Sequence, residues 1–200
     1  MLIYGAGGHA RVVCGIIEES NHKIQGIFDD FSKLSTLDNY KILGKYSTRK
    51  FPEDELIIAI GDNKLRRIIS DSITHNFGKA IHPNAIIDKI VDIDEGTVVM
   101  ANVLINRGTV IAKHCIINSC ASIDHDCQIN DFVHVAPNST ICGGVVIDQG
   151  TLVGAGATVI QNIQIGKNVI IGAGTVVIEN IPDNAIVVGS PGKIIKFINE

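Results

Sequence analysis

Ile81, Ile87, Ile93, Val99, Ile105, Ile111, Ile117, Ile123, Ile129, Val135, Ile141, Ile147, Val153, Val159, Ile165, Ile171 and Val177 stand six residues apart, seventeen positions without a break. An α-helix repeats its apolar residues about every 3.6 positions and a half-buried strand about every 2, so this period belongs to a repeat of very short strands and turns. Three residues after the aliphatic comes Gly or Asn in twelve of the seventeen units, among them Gly96, Asn102, Gly108, Gly144, Gly150, Gly156, Asn168 and Gly174. These two residue types tolerate the positive φ that a sharp corner demands. One position further stands a small or branched residue, as in Thr97, Thr109, Ala121, Val133, Val145, Thr151, Ala157, Val169 and Thr175. The pattern predicts a solenoid in which three hexads make a triangular coil, aliphatics fill the interior, and coils stack as parallel strands about 4.8 Å apart. No insertion interrupts the count, so no long loop is expected to cover it.

The repeat divides the 200 residues into 1–78 and 79–200. In the first part Leu2–Tyr4, then Gly5-Ala6-Gly7-Gly8-His9-Ala10, then Arg11-Val12-Val13 reads as strand, glycine-rich turn and helix. A second strand, Ile24–Phe28, ends in Asp29-Asp30. That spacing fits a dinucleotide-fold fingerprint, with phosphate at a helix N-terminus and an acidic residue for ribose hydroxyls. A third strand, Leu56–Ile60, runs into Gly61-Asp62-Asn63 and a helix from about Lys64 to Ser72, with Arg66 and Arg67 near its start. Only three or four strands fit before residue 80, half of what a full dinucleotide domain uses. The expectation is a mononucleotide with whatever is attached to it, and not NAD.

Lys and Arg total 17 against 21 Asp and Glu, a net charge of −4, with no basic cluster of the kind nucleic acid or an anionic membrane requires. The strand-like start leaves no room for a signal peptide and no apolar run approaches a spanning helix, so a soluble, cytosolic protein is expected. The five cysteines (14, 115, 120, 127, 142) have no CxxC spacing and read as buried reduced thiols. His22 and His75 read as surface histidines. The corners His114, Cys120, Asp126 and Phe132 depart consecutively from Gly or Asn, marking residues 114–134 as the place where regularity yields to something else. Beyond Asp183 an amphipathic tail, Ile194–Glu200, is expected to cap the last coil.

Within that irregular stretch, His125-Asp126 followed by Phe132-Val133-His134-Val135-Ala136-Pro137 resembles the active-site region of the bacterial sugar O- and N-acetyltransferases with hexapeptide repeats. That family includes UDP-4-amino-sugar N-acetyltransferases and sialic acid O-acetyltransferases. The likeness extends over the chain, from the Y-G-A-x-G-H type of start to the closing G-S-P-G-K at Gly189–Lys193. It implies an α/β Rossmann-like half domain (1–78) that binds a nucleotide sugar, followed by a left-handed parallel β-helix (79–200) that carries the acetyltransferase site. The handedness comes from the resemblance, since parallel crossovers are otherwise right-handed.

Acetyl transfer to an amine needs a base near neutral pH, which suits histidine, and a carboxylate on its other ring nitrogen fixes the tautomer. By resemblance His125 is that base and Asp126 its partner, where family members often carry Glu. The eighteen-residue coil puts Gly143 directly over His125 and Arg107 below it, leaving room for a thioester and an N–H for the developing oxyanion. The resemblance also implies acetyl-CoA as co-substrate and no metal. It implies a homotrimer with sites between subunits, His134 then serving the neighbouring subunit's His125 and contacting acetyl-CoA. Gly143, Gly154, Ala155 and Ala173 would line the coenzyme groove. Gly7, Gly8, His9, Asp29, Asp30, Gly61, Asn63 and Asn118 would hold the sugar nucleotide.

The expected reaction is acetylation of the 4-amino group of a UDP-linked 4-amino-4,6-dideoxy sugar by direct attack. Cys142 reads as a packed thiol and His114 as a packing or accessory polar group. The rivals are O-acetylation of sialic acid and, from other classes, a non-catalytic nucleotide-binding scaffold or a γ-type carbonic anhydrase. The spacing of His114, His125 and His134 does not fit the zinc site of the last.

Overall fold

The computed structural model describes residues 1–198. Leu2–Tyr4 (β1), Gly26–Phe28 (β2) and Leu56–Ile58 (β5) are buried along their whole length. They pair in parallel, as uninterrupted apolar runs between covered faces do. With Thr36–Leu37 (β3) and Tyr40–Gly44 (β4) they form a five-stranded sheet in the order β3-β4-β2-β1-β5. The sequence suggested three or four strands, and the sheet has five. The extra pair is a hairpin whose turn places Asp38 at φ 50°. Helix α1 spans Gly8–Glu19, and α2 spans Asn63–Ser70, where the Asp62 carboxylate accepts from the Leu65 N–H at 2.7 Å and caps the first turn. His75 is buried, contrary to expectation. Its Nδ1 lies 2.7 Å from the Tyr46 hydroxyl, which removes the cost of hiding a polar ring.

The hexads form two-residue strands from β6 (Ala80–Ile81) to β22 (Val176–Val177), each ending on the repeating aliphatic. Pairing runs eighteen residues apart, Ile105 to Ile123 to Ile141 for example. Strands accordingly fall into three parallel sheets, one per side of a triangle. Fourteen of the corners are left-handed, including the irregular ones: His114, Cys120, Asp126 and Phe132 lie at φ between 55° and 59°. The aliphatics from Ile93 to Val177 make one continuous buried column. Buried threonines at the small position do not break it. Thr109, for instance, donates to the Asp124 carbonyl at 2.6 Å and accepts from the Cys127 N–H at 3.1 Å. Cys115 and Cys127 take the same donor role with their thiols. Cys120, by contrast, is exposed, so it is not one of the buried thiols expected.

Gly154 shows how close the coils lie. A Cβ there would stand 2.6 Å from the Ala173 N and from the Ile171 carbonyl oxygen, both backbone atoms that cannot turn aside. Gly154→Ala is expected to destabilise the solenoid by about 1–3 kcal/mol, as overpacking of an interior does. Thermal unfolding measured against the native protein checks this.

One side of the triangle carries the α/β part. Ala80, Val98, Met100 and Ile116 on its outer surface share a buried cluster with Ile3, Ala10, Val13 and Ile17. Ser20 Oγ donates to the Ile81 carbonyl at 2.8 Å, and Asn63 Nδ2 reaches the Gly150 and Thr151 carbonyls at 3.0 and 3.1 Å. At the far end Ala185–Val188 (β23) extends this same sheet, and Lys193–Phe197 (β24) covers its edge as an antiparallel strand. The tail therefore protects the edge of one sheet, with its last two residues outside the described range.

Candidate functional site

His125 lies in the turn between β13 (Ser122–Ile123) and β14 (Gln128–Ile129), which joins the two sides of the triangle that do not carry the α/β part. The hexad period explains this placement: each six-residue step turns one corner. The Asp124 carboxylate accepts from the His125 backbone N–H at 2.8 Å and from Asn106 Nδ2, one coil away, at 2.9 Å. Those two donors hold its pKa low, Asn106 being the larger influence. Asp126 follows with φ 57°, and that left-handed backbone brings its Oδ2 to 2.8 Å from His125 Nδ1. The Asp126 contact, followed by the charge of Asp124, raises the His125 pKa above its ordinary value. With Nδ1 committed, Nε2 is the free nitrogen of an exposed ring.

Gly143 meets that ring from the next coil, as the column arithmetic predicted. An added Cβ would stand 2.6 Å from His125 Nε2 and Cε1. The next residue locks the register, since the Gly144 N–H donates to the His125 carbonyl at 2.9 Å. On the coil below, the Asp126 N–H donates to the Arg107 carbonyl at 3.1 Å.

His134 belongs to a different side. In β15 (His134–Val135) it pairs with Ile116 on the surface that meets the α/β part. Its Nε2 is 3.1 Å from Asn118 Nδ2, so that nitrogen is the acceptor of the pair. Burial, then the positive charge of Arg66, holds His134 down to about 4, with His9 acting in the same sense. His9, in the first turn of α1, is likewise pushed down to about 4 by burial and Arg66, and its Nε2 is buried without a partner among the described residues. His114 is a packing residue: it stacks on Phe132 with ring centroids 5.0 Å apart and meets Phe77 edge-on at 4.4 Å.

The glycine-rich turn divides its labour. Gly5 (φ 109°) is confined by Ile60 and the Ala59 carbonyl, whereas Gly7 and Gly8 have open space where a Cβ would be. No side chain caps α1, so its first amide groups are unscreened at that opening. Asp29 ties the turn down: Oδ2 accepts from the Ala6 N–H at 2.8 Å and Oδ1 from Phe31 and Ser32. Asp30 accepts from the Tyr46 N–H at 3.0 Å. Asn63, expected at a ligand, spends both ends of its amide on the joint, donating to Gly150 and Thr151 and accepting from Arg66. The Gly61 carbonyl accepts from Arg66 at 3.3 Å. Ala155 and Ala173 are exposed one above the other at a corner, on a wall whose glycine neighbours leave it flat.

The residues expected to act together thus form two groups on one chain. His125, Asp126 and Gly143 occupy the vertex opposite the docked side, while Gly7, Gly8, His9, Asn118 and His134 gather at the joint. Arg66 was missed. Nothing in a run of two arginines distinguishes one that is 1 % exposed from one at the surface. Among the described residues no three of His, Cys, Asp or Glu come together as metal ligands.

Residues 1–73 match the PglD N-terminal domain model, and residues 144–179 match the bacterial transferase hexapeptide model of six repeats. A perosamine N-acetyltransferase from Caulobacter crescentus is 34% identical over 96% of this chain and 95% of its own, with a TM-score of 0.93. That structure is of a histidine-to-asparagine variant in complex with CoA and GDP-perosamine. The acetyltransferase domain of PglB from Neisseria gonorrhoeae FA1090, in complex with acetyl coenzyme A, is 29% identical over 97% of this chain and 98% of its own, at 0.89. The UDP-N-acetylbacillosamine N-acetyltransferase of Bacillus subtilis (strain 168) is 38% identical over 110 residues, half of this chain and half of that protein.

Proposed function

This chain belongs to the bacterial sugar acetyltransferases with a hexapeptide-repeat β-helix, and on that premise we propose that it acetylates the 4-amino group of a UDP-linked 4-amino-4,6-dideoxy sugar. It is an acetyl-CoA-dependent sugar N-acetyltransferase acting on nucleotide-linked amino sugars, a reading supported by the perosamine N-acetyltransferase complex with CoA and GDP-perosamine and by the PglB acetyltransferase domain complex with acetyl coenzyme A. The single observation that carries the chemistry is the Nδ1 contact of His125 to Asp126 at 2.8 Å, with Nε2 left free over Gly143.

In this reading Nε2 removes the proton from the sugar ammonium or from the attacking amine, and the amine nitrogen forms a bond to the thioester carbonyl carbon. The tetrahedral oxyanion is met by the Gly143 N–H, and its collapse breaks the C–S bond and expels the coenzyme A thiolate. Asp126 supports the imidazolium that forms in between. No acyl-enzyme is needed, so Cys142 has no part. The coenzyme arm runs along Gly154, Ala155 and Ala173. Phosphate sits at Gly7 and Gly8 against the uncapped N-terminus of α1. Asp29 and Asp30 use the lone pairs their backbone donors leave free, and His9, Gly61 and Asn118 face the sugar.

The protein in this reading is a homotrimer, as the family resemblance implies, and the separation of these groups on one chain supports a site shared between subunits. The nucleotide domain docks on one side of the triangle and His125 occupies the opposite vertex, so a sugar held by one subunit is acetylated at the His125 of its neighbour, with His134 entering that shared site.

UDP is favoured by the 38% identity to the bacillosamine enzyme. A GDP-linked sugar is the second reading, favoured by the full-length perosamine relative. Release of coenzyme A thiol from acetyl-CoA separates them when UDP-, GDP- and dTDP-linked 4-amino sugars and sialic acid are compared as acceptors. Turnover only with sialic acid would overturn N-acetylation, and no turnover with any acceptor would overturn the transferase reading.

The pH dependence has a definite sign. The base must be neutral, and Asp126 raises its pKa. Activity should therefore fall as pH drops through a pKa raised from the ordinary histidine value by the Asp126 contact. In Asp126→Asn that inflection should move to lower pH, with a reduced plateau, in a kcat/KM profile.

A further inference from the structure

Arg66, on the first turn of α2, is 1 % exposed, and none of the ion pairs among the described residues involves it. Its five N–H groups are nevertheless all engaged. Nε donates to the His114 carbonyl at 2.8 Å, Nη1 to the Ile60 and Gly61 carbonyls at 3.0 and 3.3 Å, and Nη2 to Asn63 Oδ1 and the Phe132 carbonyl at 2.9 and 3.0 Å. A guanidinium with no spare donor cannot bind a substrate phosphate. Its partners instead fall on two bodies: Ile60, Gly61 and Asn63 from the α/β part, and His114 and Phe132 from two adjacent coils.

Those two corners are where the repeat departs from Gly and Asn. Their stacked rings leave the carbonyls pointing to one cation, and Phe77 closes the stack from the chain that joins the two parts. Burying a charge without a counter-ion is costly, and burial lowers the Arg66 pKa to about 10. Plain adhesion between the parts is already supplied by the apolar cluster around Ala80, Met100 and Ile116. A buried cation adds what apolar contact lacks: a directional tie that sets one register.

We propose that Arg66 is a positioning residue, a five-bond clasp that fixes the Gly61 turn of the nucleotide domain against His134 and Asn118 on the solenoid so that the sugar-binding group is assembled in one geometry. This rests on the proposed transferase function. The clasp has an electrostatic consequence as well. The titratable or charged groups that face His134 are Arg66 from α2 and His9 from α1, beside the neutral Asn118 and the Gly61 backbone. Burial keeps His134 a neutral acceptor and the charge of Arg66 adds to that effect; a protonated ring would lose the bond from Asn118.

Arg66→Lys and Arg66→Met separate the two contributions, because lysine keeps the charge without the five-bond geometry and methionine keeps neither. The titration of His134 is followed by NMR on the histidine-labelled full-length protein, and kcat/KM for the nucleotide sugar is measured beside it. The His134 titration should move up in Arg66→Met and stay near native in Arg66→Lys, while kcat/KM falls at least about tenfold in both, as misplacement of a binding group does. A folded Arg66→Lys protein with kcat/KM within twofold of native would overturn the clasp, as would a His134 titration unmoved in folded Arg66→Met. If Arg66→Met does not fold, the lysine variant decides. A native protein without acetyl transfer would sink the functional reading alone, since the NMR arm needs no turnover.

Discussion

His125→Ala should lower kcat at least a hundredfold while leaving thermal unfolding where it is in the native protein. The first half follows from chemistry: general bases contribute about 10²- to 10⁴-fold, and among the described residues Asp126 is the one titratable side chain hydrogen-bonded to the His125 ring. Asp126 cannot substitute, because a carboxylate is a far weaker base toward an ammonium group. The second half follows from exposure. The His125 side chain is 61% exposed and the Asp126 side chain 73%, so their contact orients the ring and adds little to folding. Residual activity should reflect binding alone, with KM for both substrates near native. Steady-state kinetics with acetyl-CoA and the nucleotide sugar, beside a melting curve, measures both halves. A variant with native kcat would remove His125 from the mechanism.

Gly143→Ala should cost about a hundredfold in kcat/KM although it removes no functional group. Its Cβ would stand 2.6 Å from His125 Nε2 and Cε1 and 3.2 Å from Cδ2, closer than atoms approach. What gives way is the ring, the free end of an exposed side chain. The backbone at Gly143 is not left-handed, so alanine fits the chain itself. The ring must swing off Asp126 and away from the place where the thioester would lie, and a displacement on the order of 1 Å can cost a hundredfold. Gly144→Ala is the control. That glycine is at φ 69°, and its Cβ would meet Asn162 Oδ1, so its penalty falls on stability of the corner. Equal kinetic losses in both variants would show that coil packing, and not the His125 ring, is what Gly143 protects.

The solenoid was legible residue by residue. Seventeen aliphatics in register needed no context to be read, and the structure buries the fifteen from Ile93 to Val177 in one column, with Ile81 and Ile87 half-buried at its end and an eighteen-residue pairing throughout. The relation of Gly143 to His125 followed from the same arithmetic. The β3–β4 hairpin was harder, because a two-residue strand, a short turn and a five-residue strand leave no periodic signal among polar neighbours. His75 was misread as a surface residue, since its burial depends on Tyr46, twenty-nine positions away. Asn63 and Arg66 followed the same rule. One looked like a ligand of the nucleotide and the other like an ordinary helix cation, yet each is committed to carbonyls of the solenoid between 48 and 88 residues distant.

The sequence by itself therefore determined whatever depends on a local period: the coil, its corners, the inward column, and which residue stacks on which. Tertiary structure decided which side of the triangle the α/β part covers, and so that its glycine turn and His125 face different directions on one chain. That choice rests on surface complementarity between Met100, Ile116 and α1, and on a buried guanidinium whose five acceptors come together only after both parts have folded. A repeat presents three chemically similar sides, and no period within it marks the one that will be covered.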